Sequence, residues 1–364
     1  MSTQGKLILE DGTEIIGKSF GAETSIAGEV VFNTAMNGYP ENLTDPSYRG
    51  QILVVTFPLV GNYGVPKSTF TDEIESFFES SKIHIKGLIV SYYSEEYSHW
   101  NAEKSLGNWL KENNIPALYD VDTRMITKIL RENGSMSGKI IFENDIPFHD
   151  PNLDNLVDEV STKEIQTYRP QTNRQDFLAS ESLKKVVLVD CGVKNNIIRC
   201  LLKRNVEVTR VPWNYNFNEL EYDGLFLSNG PGDPKQCTET IENIKIAMTK
   251  NKPIFGICLG NQLLGLAAGA DTHKLKYGHR GYNQPVREYG TNKCFITTQN
   301  HGYVLDEKLL SDEWELYFTN LNDGTCEGIK HKTKPFFSVQ FHPEASGGPT
   351  DTEFLFDEFV ALLE

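Results

Sequence analysis

The stretch Pro253-Ile-Phe-Gly-Ile-Cys-Leu-Gly-Asn-Gln-Leu-Leu-Gly-Leu-Ala-Ala-Gly269 decides the fold of the C-terminal half, because its pattern changes at Cys258. Residues 254–257 form a short apolar run after a proline, which favours a buried strand. The leucines that follow recur at three- and four-residue spacing, which favours a helix. The sequence therefore predicts a strand that turns into a helix at a cysteine.

Gly256 and Gly260 flank Cys258 as Gly-x-Cys-x-Gly, the cysteine form of the nucleophile elbow. Positions without side chains let the backbone turn sharply and present the nucleophile above a parallel sheet. The N-terminus of the following helix favours the thiolate, and the N–H of Leu259 would donate to an oxyanion. The alternative is that Cys258 is a small buried hydrophobe, as most cysteines are. The paired glycines favour the nucleophile.

Length and composition restrict the class of protein. At 364 residues the chain is long enough for two domains, each with its own core. Its formal net charge of -15 argues against a nucleic-acid or anionic-membrane surface. No apolar run approaches the ~18 residues of a membrane span, and the N-terminal residues do not resemble a signal peptide. Six cysteines without paired spacing predict free thiols and a cytoplasmic location.

The patterns divide the chain into a β-rich N-terminal domain at residues 1–150, a polar linker at 151–184 and an α/β domain at 185–364. In the first domain, strand patterns lie at 6–9, 14–16, 29–32, 51–56 and 87–91, and helical patterns at about 102–113 and 123–132. In the last domain, strands are predicted at 186–189, 206–211, 224–227, 254–257, 294–298, 314–318 and 336–341, and helices at about 193–204, 238–250 and 351–363. This alternation predicts a mostly parallel sheet flanked by helices.

The segment Ser338-Val-Gln-Phe-His-Pro-Glu344 supplies partners for the cysteine. An apolar strand delivers His342, and Glu344 follows two residues later. A cysteine nucleophile needs a base, and the base needs an orienting group, so these two residues fit those roles. The alternative for His342 is an ordinary histidine at a strand end. His279 and His301 are the competing candidates for the base.

Other loops carry weaker signals. The segment Ser228-Asn-Gly-Pro-Gly-Asp-Pro234 follows a strand and is typical of a turn. The N–H of Gly230 could provide a second oxyanion donor, although the segment by itself does not indicate a function. Composition alone favours solvated connections for the loops at 37–48 and 58–66. Neither a Walker-type motif nor Gly-x-Gly-x-x-Gly occurs, so ATP chemistry is expected elsewhere, and no metal or cofactor is expected in this chain.

Together these motifs resemble those of triad-type glutamine amidotransferases and, among them, the small subunit of carbamoyl phosphate synthetase. The general signatures are Gly256-Ile-Cys-Leu-Gly-Asn-Gln262, Asn229-Gly-Pro-Gly-Asp233 and Phe341-His-Pro-Glu344. The narrower resemblance rests on Gly28-Glu-Val-Val-Phe-Asn33, Gly38-Tyr-Pro-Glu41, Leu43-Thr-Asp-Pro-Ser47, Gly61-Asn-Tyr-Gly64, Lys276-Tyr-Gly-His-Arg-Gly281 and Asn300-His-Gly-Tyr303. It covers essentially the whole chain. Asn261 and Gly347 depart from the family's usual residues, at positions that carry no chemistry.

The resemblance implies that glutamine is hydrolysed through a γ-glutamyl thioester on Cys258, with His342 as base and then acid, oriented by Glu344. It implies glutamine contacts from Ser47, Gly230, Gly232, Leu259, Gln262, Asn300, Gly302 and Tyr303. Ammonia would pass through an internal tunnel to a large synthetase subunit. That subunit would use bicarbonate and ATP, with Mg and K ions, to make carbamoyl phosphate for arginine and pyrimidine synthesis. The implied assembly is a heterodimer, or several heterodimers together, with no nucleic acid and no membrane.

Three alternatives stay open at this level. The chain could serve another amidotransferase, for anthranilate, aminodeoxychorismate or GMP synthesis, but those glutaminase domains lack a half like residues 1–150. It could be a free-standing cysteine hydrolase that acts on a peptide or ester. It could also be a non-catalytic subunit, which the presence of Cys258, His342 and Glu344 argues against.

Overall fold

The structure is a computed structural model that describes residues 3–170 and 183–363. Within these two ranges, no helix is long and apolar enough to cross a membrane. The N-terminal half contains β1 (Gln4–Leu9), β2 (Glu14–Ser19), β3 (Ile26–Asn33), α1 (Tyr39–Thr44), β4 (Gln51–Val55), β5 (Val65–Pro66), β6 (Phe70–Thr71), β7 (Ile74–Glu75), β8 (Gly87–Val90), β9 (Ala102–Lys104), α2 (Leu106–Glu112), β10 (Ala117–Tyr119), α3 (Thr123–Asn133) and β11 (Met136–Ile141).

The C-terminal half continues the order of elements. It contains α4 (Leu156–Val160), β12 (Gln166–Tyr168), β13 (Lys184–Asp190), α5 (Asn195–Lys203), β14 (Val206–Pro212), β15 (Gly224–Leu227), α6 (Thr238–Met248), β16 (Ile254–Ile257), α7 (Leu259–Ala267), β17 (Asp271–Glu288), β18 (Cys294–Asp306), β19 (Trp314–Asn320), β20 (Cys326–His331), β21 (Phe336–Val339) and α8 (Phe354–Ala361). One-turn 3-10 helices lie at Pro46–Tyr48, Pro151–Leu153, Phe217–Glu219, Pro234–Gln236 and Glu307–Leu309.

The N-terminal half forms a closed barrel in the strand order β1-β11-β3-β4-β8-β10-β2. A hairpin at Asp11-Gly12 joins β1 to β2, and Gly12 has φ of +90°, which favours glycine. Alternate residues of β1 point inward, so Leu7 and Leu9 are fully buried. Ile126 and Leu130 of α3 pack in the same core, which confirms the helix predicted at 123–132.

Two predictions for the N-terminal half are wrong in detail. The helix predicted at about 102–113 is strand β9 followed by the shorter α2, because the side chain of Ser105 accepts a hydrogen bond from the N–H of Asn108 and so caps α2 after the strand ends. The loops at 37–48 and 58–66 are not solvated connections. The first contains α1 and buries Tyr48 completely, and the second buries Val60.

The C-terminal half forms one sheet in the order β12-β14-β13-β15-β16-β21-β20-β19-β17-β18. Five neighbouring strands run parallel, namely β14, β13, β15, β16 and β21. All other neighbours in the sheet pair antiparallel. The prediction of a mostly parallel sheet is therefore wrong. Strands β17 to β21 follow one another without intervening α-helices, and such short connections join antiparallel strands. The fold is mixed α/β.

Helices cover both faces of the parallel part of this sheet, as predicted. Successive residues of β13 point to opposite faces, so Val186 and Leu188 pack with α5 and α8, whereas Val187 and Val189 pack with α6 and α7. Strand β16 is therefore buried on both faces. Packing on both faces holds the end of β16, where α7 begins, in a fixed position.

The segment predicted as a linker at 151–184 is partly packed structure. Leu156 and Val157 of α4 are buried, and β12 pairs with β14 and forms the edge of the sheet. The prediction of a linker fails for residues 156–168. They contain too few apolar residues to show a helix or strand period, although β12 within them completes the edge of the sheet. Residues 171–182 of the predicted linker lie outside the described residues. The domain boundaries at 150 and 185 stay predictions.

Candidate active site

Cys258 lies at the turn between β16 and α7, with φ of 55° and ψ of −103°. A residue with a side chain rarely adopts this conformation, and such strain is typical of functional positions. The glycines on either side are required by close approach of the backbone. A Cβ on Gly256 would lie 2.5 Å from the carbonyl oxygen of Gly260, and a Cβ on Gly260 would overlap the carbonyl oxygen of Leu227. The structure therefore confirms the predicted elbow.

His342 and Glu344 follow β21, the parallel neighbour of β16. The His342 Nδ1 lies 2.7 Å from the Glu344 Oε1, and both side chains are buried. Burial is the largest single effect and opposes a charged ring, as does Lys194, but Glu344 and Cys258 together raise the pKa of His342 to about 10. The His342 Nε2 has no hydrogen-bond partner among the described residues. The ring is therefore oriented through one nitrogen and has the other free beside the cysteine.

Lys194 completes this arrangement and was not predicted from the sequence. Its Nζ lies 2.9 Å from the Glu344 Oε1 and donates to the carbonyl oxygen of Ala345 at 2.8 Å. Burial by itself would raise the pKa of Glu344, but Lys194 and His342 lower it to about 2. The carboxylate thus stays ionised at neutral pH. It can accept the Nδ1–H of His342 and stabilise a positive charge on the ring.

A chain of hydrogen bonds connects this pair to the N-terminal domain. The side chain of Asn229 donates to the Ser47 Oγ at 2.9 Å and accepts from the Lys194 backbone N–H at 3.1 Å. Asp45 accepts from the Ser47 N–H at 2.9 Å and from the Asn300 side chain at 3.1 Å. Residues from both halves of the chain therefore build one site. Asp45 and Asn229 stand inside quoted motifs, but their pairing joins distant positions that no local pattern relates.

A cavity opens beside Cys258. Seven of the eight predicted glutamine contacts line it, namely Ser47, Gly230, Gly232, Gln262, Asn300, Gly302 and Tyr303. The eighth, Leu259, has its side chain in the core, but its backbone N–H is the first of α7 and has no acceptor within the helix. His342 does not line this cavity and instead lines a second, smaller one together with Asp45 and Asn300.

The turn at 230–232 lies against the start of α7. A Cβ on Gly230 would overlap the carbonyl oxygen of Cys191 and come within 2.8 Å of the Leu259 side chain. Gly232 has φ of +81°, in the left-handed region. Glycine at these positions lets the turn approach closely, and the turn lines the same cavity as Cys258.

Comparison with known proteins gives two family models with separate matches. "Carbamoyl-phosphate synthase small chain, CPSase domain" matches residues 7–140, and "Glutamine amidotransferase class-I" matches residues 187–362. The chain belongs to the carbamoyl-phosphate synthase small-chain family. The two matched ranges coincide with the barrel and with the α/β half that carries Cys258.

Relatives of this small chain are longer proteins. Multifunctional protein pyr1-3 of Dictyostelium discoideum is 54% identical over 372 residues, which cover 98% of this chain and 17% of that protein. Carbamoyl-phosphate synthase (ammonia), mitochondrial, of Mus musculus is 51% identical over 363 residues, which cover 98% of this chain and 24% of that protein. Multifunctional protein CAD of Squalus acanthias is 51% identical over 361 residues, which cover 97% of this chain and 16% of that protein. The chain thus spans a quarter or less of their length.

The cavity of this small chain also contains charged residues that the sequence did not single out. The Glu29 Oε1 and the Lys274 Nζ lie 2.7 Å apart, and Arg280, which is 6% exposed, donates to the carbonyl oxygen of Tyr277 at 2.7 Å. Two cations and one carboxylate therefore face the cavity. This excess of positive charge suits a substrate that carries a carboxylate.

The two competing histidines lie in a different environment. The His301 Nδ1 is 2.9 Å from the carbonyl oxygen of Tyr303, and its Nε2 is 3.3 Å from the Gln299 Oε1. Burial and the neighbouring His279 lower the pKa of His301 well below its usual value. The His279 Nε2 is 2.8 Å from the Asp323 carboxylate. Neither ring makes the arrangement with a buried carboxylate and a lysine that His342 makes.

Proposed function

We propose that this chain is the glutaminase part of a glutamine-hydrolysing carbamoyl-phosphate synthase. The single observation that carries the proposal is the buried site that joins the elbow Cys258 to the oriented His342–Glu344 pair. A relative named for ammonia shows that family membership alone does not decide whether glutamine is used. In this chain the nucleophile, the base and the orienting carboxylate are all present, and they support hydrolysis.

In the proposed reaction, the thiolate of Cys258 attacks the side-chain amide carbon of glutamine. The resulting oxyanion accepts hydrogen bonds from the backbone N–H groups of Leu259 and Gly230. The His342 Nε2 then gives its proton to the leaving nitrogen, the C–N bond breaks, and ammonia leaves a γ-glutamyl thioester on the sulfur. In the second half, His342 takes a proton from water, which attacks the thioester. The C–S bond breaks, glutamate leaves, and the thiolate is restored.

Lys194 and Glu344 act in this scheme by holding the ring of His342. An ionised Glu344 keeps the hydrogen on Nδ1, so Nε2 is the atom that exchanges protons with the reacting groups. Lys194 keeps that carboxylate ionised in a buried place. The predicted contacts Ser47, Gly230, Gly232, Leu259, Gln262, Asn300, Gly302 and Tyr303 would hold the rest of the substrate.

The partner in this proposal is a large synthetase part that consumes the ammonia. It would bind ATP with Mg and K ions and combine ammonia with bicarbonate, since no phosphate-binding motif occurs in this sequence. The partner is a separate subunit in a heterodimer, or an assembly of heterodimers, with an internal tunnel between the sites. The names of the relatives indicate that such activities also occur in one polypeptide. A cytoplasmic location fits the six free cysteines, and cell fractionation tests it.

The test is Cys258→Ala in the complete synthase. Glutamine-dependent synthesis of carbamoyl phosphate should be lost, and synthesis from added ammonia should stay close to the wild-type rate. Cys294→Ala, which removes an exposed cysteine, is the matched control and should leave both rates unchanged. If Cys258→Ala retained the glutamine-dependent rate, the proposal would be wrong. If the wild type used only ammonia, the chain would be the non-catalytic alternative.

A further inference from the structure

A second buried cluster lies beside the substrate cavity and has no part in the proposed reaction. Its members come from four neighbouring strands, β17 to β20: His279, Gln299, His301, Asn320 and Glu327. All five side chains are buried. We call them the His279–Glu327 cluster.

The hydrogen-bond pattern determines which nitrogen of His301 carries its hydrogen. The Nδ1 lies 2.9 Å from the carbonyl oxygen of Tyr303, which can only accept, so Nδ1 is the donor. The Nε2 of the neutral ring then has an unshared electron pair. It lies 3.3 Å from the Gln299 Oε1, which only accepts, and 4.0 Å from the Glu327 Oε1, which only accepts while the carboxylate is ionised. Three electron-pair donors therefore face one another without a hydrogen between them.

Reversing the amide of Gln299 does not remove this conflict. In the observed orientation its Nε2 donates to the Thr297 Oγ1 at 3.2 Å, and that hydroxyl donates to the carbonyl oxygen of Gln284 at 2.8 Å. The hydroxyl hydrogen is thus already used. A reversed amide would place its oxygen against an oxygen that has no hydrogen to offer, so the network fixes the Gln299 Oε1 toward His301.

His279 presents a nitrogen to the same place. Its Nε2 lies 2.8 Å from the Asp323 Oδ2 and so carries a hydrogen, which leaves the Nδ1 with an unshared electron pair. This pair accepts one long hydrogen bond from the Asn320 Nδ2 at 3.4 Å, and the Glu327 Oε1 lies 3.5 Å away. The Glu327 Oε1 accepts from Asn320 at 2.9 Å, but its Oε2 is buried without a partner among the described residues. A proton on the His279 Nδ1 would pair with Glu327. It would still leave His301 and Gln299 facing each other.

We propose that the His279–Glu327 cluster binds one zinc ion, with the His279 Nδ1, the His301 Nε2 and a carboxylate oxygen of Glu327 as ligands. These ligand atoms all lie within 4.8 Å of one another. Zinc is held tetrahedrally by nitrogen and oxygen at about 2.0–2.2 Å, so ligand atoms around it lie roughly 3.3 Å apart. Binding would therefore draw the most widely separated ligand atoms of the cluster closer together. The Gln299 Oε1 is placed to be the fourth ligand.

The surroundings of both histidines match those of metal ligands. A metal-binding histidine almost always donates its other N–H to a carboxylate or a backbone carbonyl. His279 does so to Asp323, and His301 does so to Tyr303. The positive charge of the ion would also compensate the negative charge of the buried Glu327 carboxylate. Asp323, whose side chain is 40% exposed, marks the side from which the metal enters.

Four protein ligands leave no open position on the ion, so the zinc has a structural and not a chemical role. His301 and its neighbours in β18, Asn300 and Gly302, all line the substrate cavity. The metal would tie this part of β18 to β17 and β20 and hold the cavity wall in place. No motif in the sequence indicates this metal. The zinc site also stands independently of the proposed glutaminase activity, because its test measures metal.

The experiment uses the full chain, freed of metal with a chelator and then titrated with zinc. Bound zinc is measured by mass spectrometry after gel filtration, and affinity by competition with a zinc-binding dye. The wild type should bind one zinc per chain. Asp323→Asn should weaken binding about 10–100-fold, since it removes only the partner of a ligand, and Glu327→Gln should weaken it further. His331→Asn, at a buried histidine that accepts from two backbone N–H groups, is the control and should bind as the wild type does.

Three results would overturn the zinc site. The first is a wild-type chain that binds no stoichiometric zinc, and the second is equal zinc affinity in Asp323→Asn and His331→Asn. The third is zinc that is lost in Cys258→Ala and kept in Glu327→Gln, because that metal would belong to the cysteine site. Since Asp323 is half-exposed, Asp323→Asn keeps the test decisive even where Glu327→Gln fails to fold.

Discussion

Two buried histidine–glutamate pairs in the C-terminal half share residue types and differ in chemistry. Glu344 accepts from His342 at 2.7 Å and also pairs with Lys194, so burial is outweighed and its pKa is lowered. Glu327 lies 3.5 Å from His279, no lysine or arginine among the described residues pairs with it, and burial raises its pKa. The lysine therefore distinguishes the two pairs. With it, the His342–Glu344 pair can transfer protons, and without it, the His279–Glu327 pair can bind a metal ion.

The largest expected effect separates the two pairs by chemistry. His342→Asn should slow formation of the thioester by about 10²–10⁴-fold, because it removes the group that transfers the proton. Glu344→Gln should slow it less, since the carboxylate orients and stabilises the ring. His279→Asn, in the other pair, should change the rate least. Single-turnover measurements with glutamine compare the three variants.

Two results would break this comparison. Equal losses of rate in His342→Asn and Glu344→Gln would mean that Glu344 does more in the reaction than orient and stabilise the ring. A normal rate in His342→Asn together with a large loss in His279→Asn or His301→Asn would move the base to the other cluster.

The second prediction concerns the lysine that distinguishes the pairs. Lys194→Met should lower the free energy of unfolding at pH 7 by about 3–5 kcal/mol, because it leaves a buried carboxylate with one partner fewer. Lys203→Met is the control, because Lys203 ends α5, the helix that begins directly after Lys194, and makes an exposed ion pair; it should change the free energy of unfolding by less than about 1 kcal/mol. Urea unfolding measures both.

The same variant has a predicted pH dependence. The pKa of Glu344 is lowered in the folded chain, from 4.5 to about 2, so its contribution to stability is complete above about pH 4.5 and is lost as the pH falls toward 2. The difference between the wild type and Lys194→Met should therefore shrink over this range. A difference that stays constant would mean that Lys194 stabilises the fold by packing and not through the carboxylate.

The smallest expected effect tests how the first pair is tied to the N-terminal domain. The chain of bonds from Lys194 through Asn229 ends at Ser47 in the cavity. Ser47→Ala should raise the KM for glutamine by about 3–10-fold, equivalent to one hydrogen bond, and lower kcat less. Ser68→Ala, at an exposed serine of the same domain, is the control. An unchanged KM would leave Ser47 with a structural role alone.

Local patterns predicted the strand-to-helix turn at Cys258 and placed His342 and Glu344 just after a strand. The turn at Cys258 has a strand pattern before it and a helix pattern after it, and His342 and Glu344 stand two residues apart. These features can be read within a few positions. The triad roles and glutamine contacts that the resemblance implies remain predictions, although the structure places most of these residues around one cavity.

What the sequence did not predict depends on contacts between distant positions. Lys194 and Glu344 are 150 residues apart, and Asn229 and Ser47 are 182 apart. The antiparallel half of the sheet was missed because strand patterns carry no direction. The His279–Glu327 cluster was missed for the same reason as Lys194, since its members lie on four different strands.

The most direct test of the central claim is to trap the covalent intermediate. The chain is mixed with glutamine, quenched with acid and digested, and the peptides are analysed by mass spectrometry. We predict one γ-glutamyl group on the peptide that contains Cys258, and none on the peptides that contain Cys191, Cys200, Cys237, Cys294 or Cys326. Cys258→Ala should give no adduct. An adduct on another cysteine, or glutamine hydrolysis in Cys258→Ala at the wild-type rate, would contradict the account.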